Sequence, residues 1–105
     1  MTSGKLVRDR IPELILDEGR KPLVKKLTGE ALLNALYDKL SEEHEELLAA
    51  SSVDAKREEA ADMIEVLIAL AGQFGCDESE LMELVARKRA DRGGFFKGLF
   101  YQGDG

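Results

Sequence analysis

The sequence predicts an all-α fold, and three observations predict it. The only prolines, Pro12 and Pro22, fall in the first quarter of the 105 residues. Between residues 28 and 92 the only glycines are Gly29, Gly72 and Gly75, and Ala, Leu, Glu, Lys and Arg dominate. Those residues lose little side-chain freedom in a helix. No stretch alternates apolar and polar residues for long enough to specify a strand. The length suits a single domain with one modest core. Residues 1–27 read as an arm and a short helix, 28–92 as the core helices and 93–105 as a C-terminal tail.

Each element has its own start and stop. Lys5–Gly19 reads as an extended arm followed by a short helix, with Pro12 in the first turn and Gly19 at the stop. A second helix starts near Thr28, whose hydroxyl can cap it, and runs to about Ala50. Ser51-Ser52-Val53-Asp54 is a short polar break. A third helix runs from about Asp54 to Phe74, with Gly75 as its C′ residue. Asp77 and Glu80 form a capping-box pattern for a fourth helix that ends near Arg92 at Gly93-Gly94. An aromatic tail follows, with Phe95, Phe96, Phe100 and Tyr101. Short connections between consecutive helices predict an antiparallel helical bundle.

Composition excludes several classes of function. Fifteen Lys and Arg against 21 Asp and Glu leave a net charge of −6, a poor match to a nucleic-acid polymer or an anionic membrane surface. The longest uncharged apolar stretch, Val66–Gly72, is far short of a membrane span. Met1-Thr2-Ser3-Gly4 shows no secretory pattern. Cys76 is the only cysteine and lacks metal-spaced partners, so the expectation is a cytoplasmic protein without disulfides or structural zinc. No phosphate-loop or dinucleotide fingerprint occurs. Ser and Thr residues lack a neighbouring base pattern for nucleophilic catalysis.

The anomaly is where the acids sit. Leu36, Leu40 and Leu47 mark an inward stripe on the second helix, and Glu43 completes it at spacings of 4, 3 and 4. Glu59, Met63, Val66 and Leu70 repeat the same rhythm on the third helix. Asp62 flanks that stripe, and Glu46 stands one turn beyond Glu43. Two pairs of carboxylates at i,i+3 therefore face inward from neighbouring helices. Burying one unpaired ion costs several kcal/mol, and converging acids repel. A divalent cation resolves both problems, and oxygen-only ligands select Mg²⁺, or Mn²⁺, over zinc. Mg²⁺ commonly joins carboxylates to substrate phosphates. Glu42 lies between the inner and outer faces, where it can support the ion's ligands. The alternative is a solvated acidic face over Glu42, Glu43, Glu45 and Glu46, the usual meaning of a charge run.

Cations lie where such a site would use them. Lys88 and Arg92 continue the Leu81, Leu84 and Val85 stripe of the fourth helix. They can hold phosphate oxygens, or simply complement a helix C-terminus. Lys39 lies one turn before Glu43 and can pair with it or reach a phosphate. His44, the only histidine, reads as a packing or hydrogen-bonding residue, and Cys76 as incidental.

Glu42-Glu43-x-x-Glu46 followed by Glu59-x-x-Asp62 resembles the metal signature of the MazG-like all-α nucleoside triphosphate pyrophosphohydrolases. Lys39-Leu40-Ser41-Glu42-Glu43 and Glu58-Glu59-Ala60-Ala61-Asp62 look like that superfamily's two motifs. Lys5-Leu6-Val7-Arg8-Asp9-Arg10-Ile11-Pro12 and Arg92-Gly93-Gly94-Phe95 resemble the opening and ending of a small single-domain branch. The resemblance covers nearly the whole chain, least distinctively over residues 20–30. It implies a helical bundle completed by oligomerisation, as a homodimer or homotetramer. It also implies Mg²⁺-dependent cleavage of a nucleotide between the α and β phosphates, releasing pyrophosphate. Carried over by position, Glu43, Glu46, Glu59 and Asp62 bind metal, and Glu42 supports the metal or orients water. Lys39, Lys88 and Arg92 then contact phosphate, and Arg8 and Arg10 reach toward substrate. The expected chemistry is in-line attack by a metal-activated water on the α phosphorus. Two alternatives are a phosphoribosyl-ATP pyrophosphohydrolase of histidine biosynthesis and a non-catalytic helical module that binds nucleotide or a partner.

Oligomerisation has support outside the resemblance. Met63–Ala71 carries one charged residue, Glu65, and is apolar nearly all round. Ile64, Ile68 and Ala71 face away from Met63 and Leu70. A helix apolar on both faces needs cover on both, from a partner subunit or from the N-terminal segment or the tail.

Overall fold

The computed structural model describes residues 4–105, which form four helices and no strand. They are α1 (Ile11–Asp17), α2 (Gly29–Ala49), α3 (Val53–Gln73) and α4 (Glu78–Arg92). None is long and apolar enough to cross a membrane.

Local chemistry sets the boundaries. Pro12 occupies the first turn of α1, where its missing N–H costs nothing, and Gly19 follows the helix at φ +84°. Thr28 is the N-cap of α2, but its side chain makes no capping bond. The cap of α3 is Ser52, whose Oγ accepts from the Ala55 N–H at 3.1 Å. At the end of α3 the Cys76 N–H donates to the Ala71 carbonyl and the Gly75 N–H to that of Gly72, at 3.0 and 3.2 Å. This is a Schellman turn, with Gly75 at φ +77° supplying the left-handed residue. Asp77 and Glu80 make the reciprocal capping box that starts α4, at 2.9 and 3.3 Å.

The two long helices pack side by side and antiparallel. Leu36 meets Val66 and Leu70 in the core, Glu43 meets Glu59 and Asp62, and Lys56 Nζ donates to the Leu47 carbonyl at 3.0 Å. One partner number rises as the other falls, the signature of a helical hairpin. Leu36, Val66 and Leu70 are the buried hydrophobic side chains among the described residues, and Leu6, Leu32, Leu33 and Leu40 pack against them. Leu6 comes from the extended arm, which thereby lies on the hairpin. Helix α4 packs more lightly on α3 and buries no residue. The Cα radius of gyration is 17.7 Å, whereas a compact domain of this length has about 13 Å.

Candidate metal centre

The hairpin register brings acids from both long helices to one place. Lys39, Glu42, Glu43 and Glu46 stand three or four residues apart on α2, so they share a face. Glu59 and Asp62 do the same on α3. One carboxylate oxygen from each of Glu43, Glu59 and Asp62 lies within 4.8 Å of the other two. Glu42, Glu43 and Glu46 form a second set by the same measure. Glu43 belongs to both and is the most enclosed acid, with 6% of its surface exposed. Glu42, Glu59 and Asp62 are half-buried, whereas Glu46, expected to face inward with Glu43, is exposed, because three residues fall short of a full helical turn and carry it off the buried stripe.

The hydrogen bonding is incomplete in an informative way. Lys39 Nζ lies 3.4 Å from Glu43 Oε1 and 3.3 Å from Glu42 Oε2. Glu43 Oε2 and Glu59 Oε2 are buried without any hydrogen-bond partner. Leaving a buried acceptor such as Glu43 Oε2 unmade costs about 1–3 kcal/mol. An ionised carboxylate has only acceptor capacity, so the missing partner is a donor or a cation. The neighbouring acids disfavour the ionised form of Glu59: its carboxyl is pushed up to about 7, first by hydrogen bonding with Glu43, then by desolvation and by Glu46. Burial pulls the Lys39 ammonium down, but Glu42 and Glu43 outweigh it and raise its pKa. An oxygen-only donor set with orphaned buried oxygens fits a hard divalent cation. Glu43, Glu59 and Asp62 could hold it directly, with Glu46 adjoining.

The arm roofs this region. A cavity of about 560 Å³ lies between the arm and the hairpin, lined by apolar Leu6, Leu36 and Val66 and by charged Arg8, Glu43 and Asp62. Arg8 Nη2 donates to Asp62 Oδ1, and Lys5 Nζ lies 3.7 Å from Glu42 Oε1. Neither contact was legible in the sequence, because each partner lies on a helix far along the chain. The α3 line of the cavity was legible in principle: Glu65, Val66, Ala69 and Gln73 follow Asp62 at helical spacing and line the cavity.

Not every expected residue gathers here. Lys88 and Arg92 are exposed on α4 and do not line the cavity. Arg92 borders a separate surface pocket with the tail residues Gly93 to Leu99. Arg10 lines the cavity but pairs with Glu13. His44, expected to pack or hydrogen-bond, is exposed. Cys76 sits half-buried in the turn before α4.

Over 55 residues the chain is 50% identical to a protein of Mycolicibacterium smegmatis described only as uncharacterized; the match spans 52% of this chain and 56% of that relative's length. No family model matches the chain. No solved structure matches it.

Proposed function

We propose that the protein is a Mg²⁺-dependent nucleoside triphosphate pyrophosphohydrolase, cleaving between the α and β phosphates to yield pyrophosphate and a nucleoside monophosphate. The observation that carries the reading is the pair of orphaned, buried oxygens, Glu43 Oε2 and Glu59 Oε2, inside a cluster of carboxylates. The four-acid pattern of the MazG-like superfamily adds support from sequence.

A bound divalent cation supplies charge neutralisation on the phosphate chain and a more acidic water. The protein's own groups do the rest. Glu43, Glu59 and Asp62 hold the cation, and Glu46 adds charge beside them. Both oxygens of Glu42 already face cations, Lys39 and Lys5, so Glu42 fixes the position of Lys39 better than it accepts a proton. Lys39 also lines the cavity. The apolar lining, Leu6, Leu36 and Val66, suits the uncharged part of a ligand.

The second element of the proposal is a homodimer or homotetramer that completes the helical bundle. Ile64 is 53% exposed and Leu67 43% on α3, and three buried hydrophobic side chains are a small core for a domain of this length. In this reading Lys88 and Arg92 serve as phosphate contacts only across a subunit boundary.

The test is a panel of canonical and damaged nucleoside triphosphates, with phosphoribosyl-ATP, assayed with Mg²⁺ and scored for pyrophosphate against orthophosphate. Pyrophosphate release that disappears in Glu43→Ala is the expected result. Absence of hydrolysis across the panel, together with no Mg²⁺ binding by calorimetry, would leave a non-catalytic helical module.

A further inference from the structure

The arm carries two arginines beside the carboxylates, and their partners differ. Arg10 donates from Nε and Nη2 to Glu13 Oε1 at 3.1 and 3.0 Å, a local pair three residues along the chain. Arg8 instead reaches α3, 54 residues away, and donates to Asp62 Oδ1. Asp62 is also one of the three carboxylates that converge on the orphaned oxygens. The guanidinium therefore lies against one of the three carboxylates that would hold a divalent cation, and it competes with such a cation for that carboxylate's charge.

Two positive charges on one carboxylate repel, so a cation bound by Asp62 weakens the hold of Arg8 on it. The arm is also lightly held. Its one half-buried residue among 4–10 is Leu6, and the Arg8 side chain is 56% exposed. An ion pair that exposed contributes little stability and is easily exchanged. Arg8 lines the cavity, as Lys39 does, and its guanidinium has five donors for an anion.

We infer that Arg8 is a binding residue that changes partner: it neutralises Asp62 while no divalent cation is bound, and takes an anionic phosphate oxygen of the ligand once a cation occupies the carboxylates. The inference rests on the cation reading above. Cation and polyanion then help each other bind, because the anion gives the displaced arginine a new partner. Such coupling is reciprocal. Arg10, tied to Glu13, does not take part.

The test measures two affinities on the full chain, for wild type, Arg8→Ala and Arg8→Lys. One is for Mn²⁺ alone, by calorimetry. The other is for inorganic tripolyphosphate at saturating Mn²⁺. Removing the guanidinium removes a competitor for Asp62, so Arg8→Ala binds Mn²⁺ alone more tightly than wild type. The same variant binds tripolyphosphate about tenfold or more weakly, the loss of one charge-assisted hydrogen bond. Arg8→Lys falls between the two in both measurements. Opposite signs are the diagnostic, since a merely structural role moves both affinities the same way. Arg8→Ala and Arg8→Lys each shifting both affinities together, or neither, overturns the exchange of partners and leaves the cation site standing. Wild type that binds no Mn²⁺ overturns both.

Discussion

The α2–α3 hairpin and the α4–tail region use similar residues to opposite ends. Along the hairpin, Leu36, Val66 and Leu70 are buried, and a glutamate is buried with them. Along α4 and residues 93–105, Leu81 is half-buried and every other residue is exposed, including Phe95 and Phe96 at 98% and 103%. Both regions are helix-rich and charged. In the hairpin Lys39 pairs with one oxygen of the enclosed Glu43, and the other is buried without a partner. The α4 region has apolar side chains and no chain of its own to cover them. One region turns a carboxylate oxygen inward without a partner, and the other turns apolar side chains outward.

The largest expected effect separates the two directly. Glu43→Ala should abolish pyrophosphate release and weaken Mn²⁺ binding at least about tenfold, with far-ultraviolet circular dichroism unchanged. Undiminished turnover in that variant would remove Glu43 from the site. Lys88→Ala, in the other region, should leave Mn²⁺ binding unchanged.

The next effect concerns stability. Saturating Mg²⁺ should raise the melting temperature reversibly, adding about 2.7 kcal/mol at a hundredfold excess over Kd. Chelation should return it. In the metal-free protein Glu59 dictates a pH trend. Its folded-state pKa, about 7, stands above its ordinary value of 4.5. The folded state thus binds the extra proton, and the stabilisation is full below about 4.5 and lost as pH rises through about 7. Denaturant midpoints should fall over that window in wild type and stay flatter in Glu59→Gln. Equal slopes would show that Glu59 carries no such proton.

A smaller effect probes the uncovered face. Ile64→Asp should lower the sedimentation coefficient toward that of a monomer while Mn²⁺ binding is retained, since residues two apart on a helix do not share a face and Ile64 does not line the cavity. A wild type that already sediments as a monomer at high concentration would refute the oligomer. The smallest concerns the fourth helix alone. Asp77→Ala should cost about 1 kcal/mol of stability through the lost cap, read as a shifted denaturant midpoint without change in metal affinity.

Helix identity was legible because it is local. Ser51-Ser52 marks the break, and with Ser52 as the cap α3 begins at Val53, one residue before Asp54. Gly75 and the Asp77–Glu80 pair were readable because capping depends on a few adjacent residues. Thr28 marked the right place, yet its side chain makes no capping bond. The inward aim of Glu43 followed from heptad spacing, and its burial agrees with that spacing. The exposure of Lys88 and Arg92 was not readable, because a helical stripe does not say which neighbour is present to receive it.

By itself the sequence determined the all-helical class, the four elements and the inward aim of Glu43, all properties of spacing within about four residues. Tertiary structure alone decided that Arg8 spans 54 residues to reach Asp62 and that Leu6 draws the arm onto the hairpin. Such contacts depend on which apolar surfaces meet, and burial is non-directional, so no local pattern specifies the partner.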